Sequence, residues 1–139
     1  MTPKKILFVC IGNASRSQMA EGFAKAMGQS LVEVYSAGSR PVGFVDAHAI
    51  AVMKEKGIDI SQNKSKGLHQ VPKETWDYVV TMGCGEEACS KMSARKSLDW
   101  PLENPAGISI ERVRLIRDQI HGLVKHLLGN IEDEERERA

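Results

Sequence analysis

The chain has 139 residues, 42% of them hydrophobic, with nineteen basic against eighteen acidic side chains and a formal charge of +1. That length suits one domain and that apolar content suits a buried core rather than disorder, while the near balance of charge leaves no electrostatic footprint for nucleic acid or an anionic membrane surface. The longest apolar run, Ile6 to Ile11, is far short of the ~18 residues of a membrane span, so a soluble, cytoplasmic protein is expected, and a monomer.

Lys4-Lys5 followed by Ile6-Leu7-Phe8-Val9 predicts a strand covered on both faces. Ser17 to Met27 places Met19, Ala20, Phe23 and Met27 at helical spacing before Gly28. A second strand is expected at Val32 to Ser36, and Asp46 is placed to cap a helix carrying Ala49, Ile50 and Met53 toward Gly57. Tyr78 to Met82 reads as a third strand and Ser97 to Trp100 as a short fourth. Ser109 caps a last helix whose stripe of Val113, Ile116, Ile120, Leu123, Val124 and Leu127 is expected to stop before Gly129-Asn130. Residues 1–130 are thus read as a single domain, and the mixed-charge run 131–139 as a frayed, solvated tail. The alternation of strands and helices implies an α/β fold with a parallel sheet, whose ligand site lies beyond the carboxyl ends of the strands.

The first strand runs into Cys10-Ile11-Gly12-Asn13-Ala14-Ser15-Arg16-Ser17, a C-x5-R arrangement. The bare spacing is weak; its place between a strand and a helix start is what gives it weight. A short loop there turns successive backbone N–H groups inward, so Ile11, Gly12, Asn13, Ala14, Ser15 and Arg16 are expected to cradle a tetrahedral oxyanion, helped by the helix dipole. Arg16 offers a bidentate fork that a lysine cannot reproduce. Cys10 would sit beneath the anion as a thiolate nucleophile, with Ser17 placed to donate a hydrogen bond to its sulfur. The bland alternative is a buried structural cysteine beside an arginine that merely pairs.

The chain holds three cysteines, an odd number without a secretory segment, which argues for reduced thiols rather than a disulfide framework. Cys84 and Cys89 follow the third strand; if that strand neighbours the first, Cys84 emerges beside Cys10 within the reach a disulfide needs, and Cys89 is near enough in sequence to resolve it. Two unrelated packing thiols are the competing reading. A zinc site would need more ligands than the pair supplies, and His48, His69, His121 and His126 have neither ligand nor triad spacing, so no metal site is expected.

Val9-Cys10 through Arg16-Ser17-Gln18-Met19-Ala20-Glu21, Tyr35-Ser36-Ala37-Gly38, Gly57-Ile58-Asp59-Ile60-Ser61, Val80 to Cys89 and Asp99-Trp100 through Asn104-Pro105-Ala106-Gly107 together closely resemble the thioredoxin-coupled arsenate reductases built on the low-molecular-weight phosphotyrosine phosphatase fold. The resemblance spans nearly the whole chain. It implies a three-layer sandwich with a central four-stranded parallel sheet. It further implies that Cys10 attacks arsenate, that Cys84 attacks the Cys10 sulfur and releases arsenite, and that Cys89 then pairs with Cys84. Thioredoxin or another dithiol reduces that last disulfide, and no bound organic cofactor is required. Asn104 departs from the family's usual aspartate, so phosphate-ester hydrolysis is expected to be poor and the proton donor is open; adjacent Glu103 is a carboxyl, but neighbouring side chains point differently. Asn13, Glu21 and Ser36 match three ligands of a potassium site found in some relatives, while Lys66 stands where an acidic ligand is expected; its ammonium is read as taking the cation's place. The competing functions are a low-molecular-weight protein tyrosine phosphatase using Cys10 and Arg16, a non-catalytic oxyanion sensor, and an arsenate reductase served by glutaredoxin rather than thioredoxin.

Overall fold

The computed structural model describes residues 2–83, 92–105 and 107–138. Four strands, β1 (Lys4–Cys10), β2 (Val32–Gly38), β3 (Trp76–Thr81) and β4 (Ala94–Asp99), pair in parallel in the order β2-β1-β3-β4. The long helices are α1 (Arg16–Gly28), α2 (Ala47–Lys54) and α3 (Ile110–Arg138). Register aligns Cys10 with Gly38 and Val9 with Thr81, so the strand ends converge on one edge. The chain runs from β1 outward to β2 and returns past β1 to β3, which makes the end of β1 the topological switch point where such sheets bind ligands.

Both faces of β1 are covered, as its unbroken apolar run requires. Ile6 and Phe8 point into a core shared with Met19 and Phe23 of α1, Val52 and Met53 of α2, and Val113, Ile116, Ile120 and Val124 of α3. Leu7 and Val9 join Trp76 and Val79 on the opposite face, beneath Leu68, Val71 and Met92. The result is the expected three-layer α/β arrangement. β4 lies at the edge and begins three residues before its predicted start; Arg95 and Lys96 are exposed there, a composition that masks strand character in sequence but suits an edge.

The last helix is a correction. It does not stop at Gly129-Asn130, and residues 131–138 are not a frayed tail: α3 continues to Arg138. Ile131 is fully buried in the main core, the Tyr78 hydroxyl donates to Glu134 at 2.9 Å, Lys96 Nζ reaches the same carboxylate at 2.6 Å, and Lys4 pairs with Glu135 at 3.4 Å. Tertiary anchoring outweighs the ~1 kcal/mol that one glycine costs a helix.

Candidate active site

The loop between β1 and α1 owes its shape to the segment that follows β2. Ser39 N donates to Cys10 O at 3.2 Å, Arg40 N to Ile11 O at 2.8 Å, Val42 N to Gly12 O at 3.1 Å and Asp46 N to Ala14 O at 2.9 Å. Gln18 Nε2 donates to Asn13 O at 3.2 Å, and Ser65 Oγ adds a second donor to Gly12 O at 2.9 Å. Every carbonyl from Cys10 to Ala14 is therefore drawn outward. The N–H groups of Ile11, Gly12, Ala14 and Ser15 donate to no protein acceptor among the described residues, which leaves a concave set of amides for an anion. Asn13 adopts φ 49° to complete the turn, a conformation asparagine tolerates better than most residues.

Gly38 makes this close approach of two backbones feasible. A Cβ at that position would lie 2.5 Å from Ile11 O and 2.9 Å from Asn13 N. The sequence signal was present in Ser36-Ala37-Gly38, but only the Cys10–Gly38 register shows what the glycine is for.

Cys10 is buried at the loop's base, its sulfur 2.8 Å from Ser17 Oγ and 3.3 Å from Asn13 N. The Ser17 hydroxyl belongs to a buried network centred on Asn13. Asn13 Oδ1 accepts from Lys66 N at 2.7 Å and Gln18 Nε2 at 3.0 Å, which fixes the amide's orientation. Its Nδ2 donates to Ser17 Oγ at 2.8 Å and to Ser36 Oγ at 3.0 Å. Ser17 thus accepts from Asn13, and when Cys10 is a thiolate, with no proton of its own, the Ser17 hydroxyl is the donor that bridges to the sulfur and stabilises its charge. Ser36 in turn donates to the buried Glu21 carboxylate.

Arg16 is buried with Nη1 3.2 Å from Leu102 O. Burial lowers its guanidinium from the ordinary value, with a negative Cys10 opposing the shift; an arginine nonetheless stays charged. Gly83, at φ +76°, lies against it so closely that a Cβ would meet Nη1 at 2.7 Å. Cys10, Gly12 and Arg16 line a cavity of about 200 Å³ that is open to solvent. Val42, Phe44 and Asp46 form one wall and Asn104 also lines it.

Cys84 and Cys89 lie outside the described residues. What bears on them is the path of β3: Met82 N donates to Val9 O at 2.8 Å, so the chain leaves the sheet directly beside Cys10. From Met82 to Cys84 is two residues, at most roughly 7 Å of extended chain.

Sequence reasoning missed Gln18 as a loop support, Ser65 as a carbonyl donor and Asp46 as a cavity wall. Around Glu21, where the Lys66 ammonium was expected to take the place of the relatives' potassium, two lysines converge. Lys66 Nζ lies 3.9 Å from Glu21 Oε1 and 3.0 Å from Lys64 O, and Lys25 Nζ sits 2.5 Å from Glu21 Oε2. Burial pulls the Lys66 ammonium below its ordinary value, Glu21 opposing and Lys25 adding to the fall. With two ammonium groups on Glu21, and the Asn13 and Ser36 oxygens already engaged, the cluster does not fit a potassium ion.

The family model described as low molecular weight phosphotyrosine protein phosphatase matches residues 5–137. The glutaredoxin arsenate reductase of Synechocystis sp. is 39% identical over 92% of this chain and 98% of its own length. A solved arsenate reductase in the phosphate binding state superposes with a TM-score of 0.82 at 39% identity, over 92% of this chain and 98% of that one. The thioredoxin-dependent arsenate reductase of Corynebacterium glutamicum superposes with a TM-score of 0.79 at 32% identity, covering 95% of this chain and 63% of that one. Its C-x5-R loop, its sheet order and these matches place the chain in the low molecular weight phosphotyrosine protein phosphatase family.

Proposed function

We propose that this chain is an arsenate reductase that uses Cys10, Cys84 and Cys89 as a thiol relay. The observation that supports the first step is the 2.8 Å contact of the Ser17 hydroxyl with a buried Cys10 sulfur under a loop of inward amides, a contact in which the hydroxyl donates once the sulfur is a thiolate. Arsenate held there presents arsenic to the thiolate, and Arg16 neutralises its oxygens. Attack yields a Cys10 thiol–arsenate adduct and water. The Cys84 thiolate then attacks the Cys10 sulfur, forming the Cys10–Cys84 disulfide; the S–As bonding pair passes to arsenic, which leaves as arsenite, reduced by two electrons. Cys89 exchanges into that disulfide and frees Cys10, and an external dithiol reduces Cys84–Cys89.

Relatives bearing both reductant names, glutaredoxin and thioredoxin, leave the external dithiol to be chosen on chemistry. Two thiols beyond Cys10 make an intramolecular disulfide available for a dithiol such as thioredoxin. A phosphatase would share the anion loop, since arsenate and phosphate have the same shape and charge, but an amide at position 104 cannot protonate a leaving alkoxide. The test is arsenite production by purified protein with thioredoxin, thioredoxin reductase and NADPH, set beside para-nitrophenyl phosphate hydrolysis. Arsenite formation that needs all three cysteines is expected. Ester hydrolysis without arsenite would exchange the two functions, and full cycling by Cys89→Ser with thioredoxin would refute the relay.

A further inference from the structure

We propose that Asp46 is the proton donor to the oxygen that leaves arsenic when Cys10 attacks, an inference that rests on the arsenate-reductase reading. The step requires an acid, because hydroxide is a poor leaving group. Asn104 lines the cavity but carries an amide. Glu103 does not line it, and both its carboxylate oxygens are taken by Arg112 Nε at 3.0 and 3.1 Å. Among the described residues Asp46 is the one acidic residue that lines the cavity; Cys10 and Arg16 are the other ionisable residues there.

Two bonds place Asp46. Its backbone N–H donates to Ala14 O at 2.9 Å, which ties it to the oxyanion loop, and its Oδ2 accepts from Ala49 N at 3.2 Å as the N-cap of α2. The capping role explains the residue only in part, since serine, threonine or asparagine would cap as well.

The proton arrives with the substrate. Arsenate bound as the dihydrogen monoanion passes one proton to the Asp46 carboxylate and becomes the monohydrogen dianion. The Cys10 thiolate supplies the pair that forms the S–As bond. The bond from arsenic to its hydroxyl oxygen breaks with the pair on oxygen, and that hydroxide takes the proton back from Asp46 and departs as water. A doubly charged thiol–arsenate adduct on Cys10 and an ionised Asp46 remain, with arsenic still pentavalent.

Asparagine caps a helix as well as aspartate, so Asp46→Asn separates proton delivery from structure. Phosphate binding by calorimetry, rapid-quench single-turnover arsenite formation and its pH profile are compared for the intact chain, Asp46→Asn and Glu103→Gln. Asp46→Asn is expected to bind phosphate within about twofold of the parent and to form arsenite ~10²-fold more slowly. Glu103→Gln is expected to match the parent. A parent that makes arsenite while Asp46→Asn keeps the parent rate and profile overturns the role alone. Loss in Asp46→Asn matched by an equal loss of phosphate affinity assigns the residue to structure, and a parent that makes no arsenite overturns the functional reading first.

Discussion

Gly38→Ala tests how the oxyanion loop is built. The added methyl would meet Ile11 O at 2.5 Å, Asn13 N at 2.9 Å and Gly12 C at 3.0 Å, all of them backbone atoms that no rotamer change can clear. Gly38 is itself fixed by pairing with β1 and by donating its N–H to Lys66 O at 2.8 Å, so the loop must yield. Overpacking of this kind costs about 1–3 kcal/mol, a fall in thermal midpoint of roughly 3–5 °C for each kcal/mol in a chain of this size. Restoring ordinary contact displaces the loop by roughly 1 Å, and a misplacement of that size costs ~10²-fold in rate. Circular-dichroism melting, phosphate titration calorimetry and arsenite release together read these effects. Gly122→Ala, whose methyl meets nothing within 4 Å in α3, serves as the control and is expected to stabilise the chain by up to ~1 kcal/mol. Phosphate affinity and turnover in Gly38→Ala equal to the parent would refute the close-approach argument.

Further outcomes follow from the surrounding structure. The Glu55 carboxyl is held down to about 2 by Arg114 and then Arg117, which bridge α2 to α3. Because its folded value lies below its unfolded one, the pair's stabilisation is complete above the unfolded value of 4.5 and disappears as the pH falls through about 2. The parent and Glu55→Gln should therefore differ in melting temperature at neutral pH and converge near pH 2; a constant gap would sink the assignment. With two ammonium groups on Glu21, the parent's midpoint is expected to be the same in potassium and choline chloride at equal ionic strength, and a rise specific to potassium would contradict an internal cation. Ile131→Ala is expected to cost about 2–5 kcal/mol by chemical denaturation, since Ile131 is fully buried; an unchanged denaturation midpoint would return the C-terminal residues to a solvated tail.

Local chemistry accounts for what could be read from the sequence. Lys4–Cys10 has to be a doubly covered strand because an unbroken apolar run has no face for water, and a short C-x5-R loop between such a strand and a helix is placed to turn its backbone N–H groups inward. The placing of Cys10, Arg16 and Ser17 at the turn from the first strand into the first helix was legible on those grounds, as was the parallel sheet. Contacts between distant segments decided the rest. The outward turn of the loop carbonyls is imposed by residues 39–46 and Ser65, the need for glycine at position 38 by register with Cys10, and the place of Asp46 on the cavity wall by its bond to Ala14. The end of α3 shows the same division: glycine and asparagine at 129 and 130 signal a stop, and Tyr78, Lys96 and Lys4 override it from the sheet. Periodicity and capping act within a few residues of chain and can be read along it, whereas hydrogen bonds between segments far apart in sequence exist only once the chain has folded.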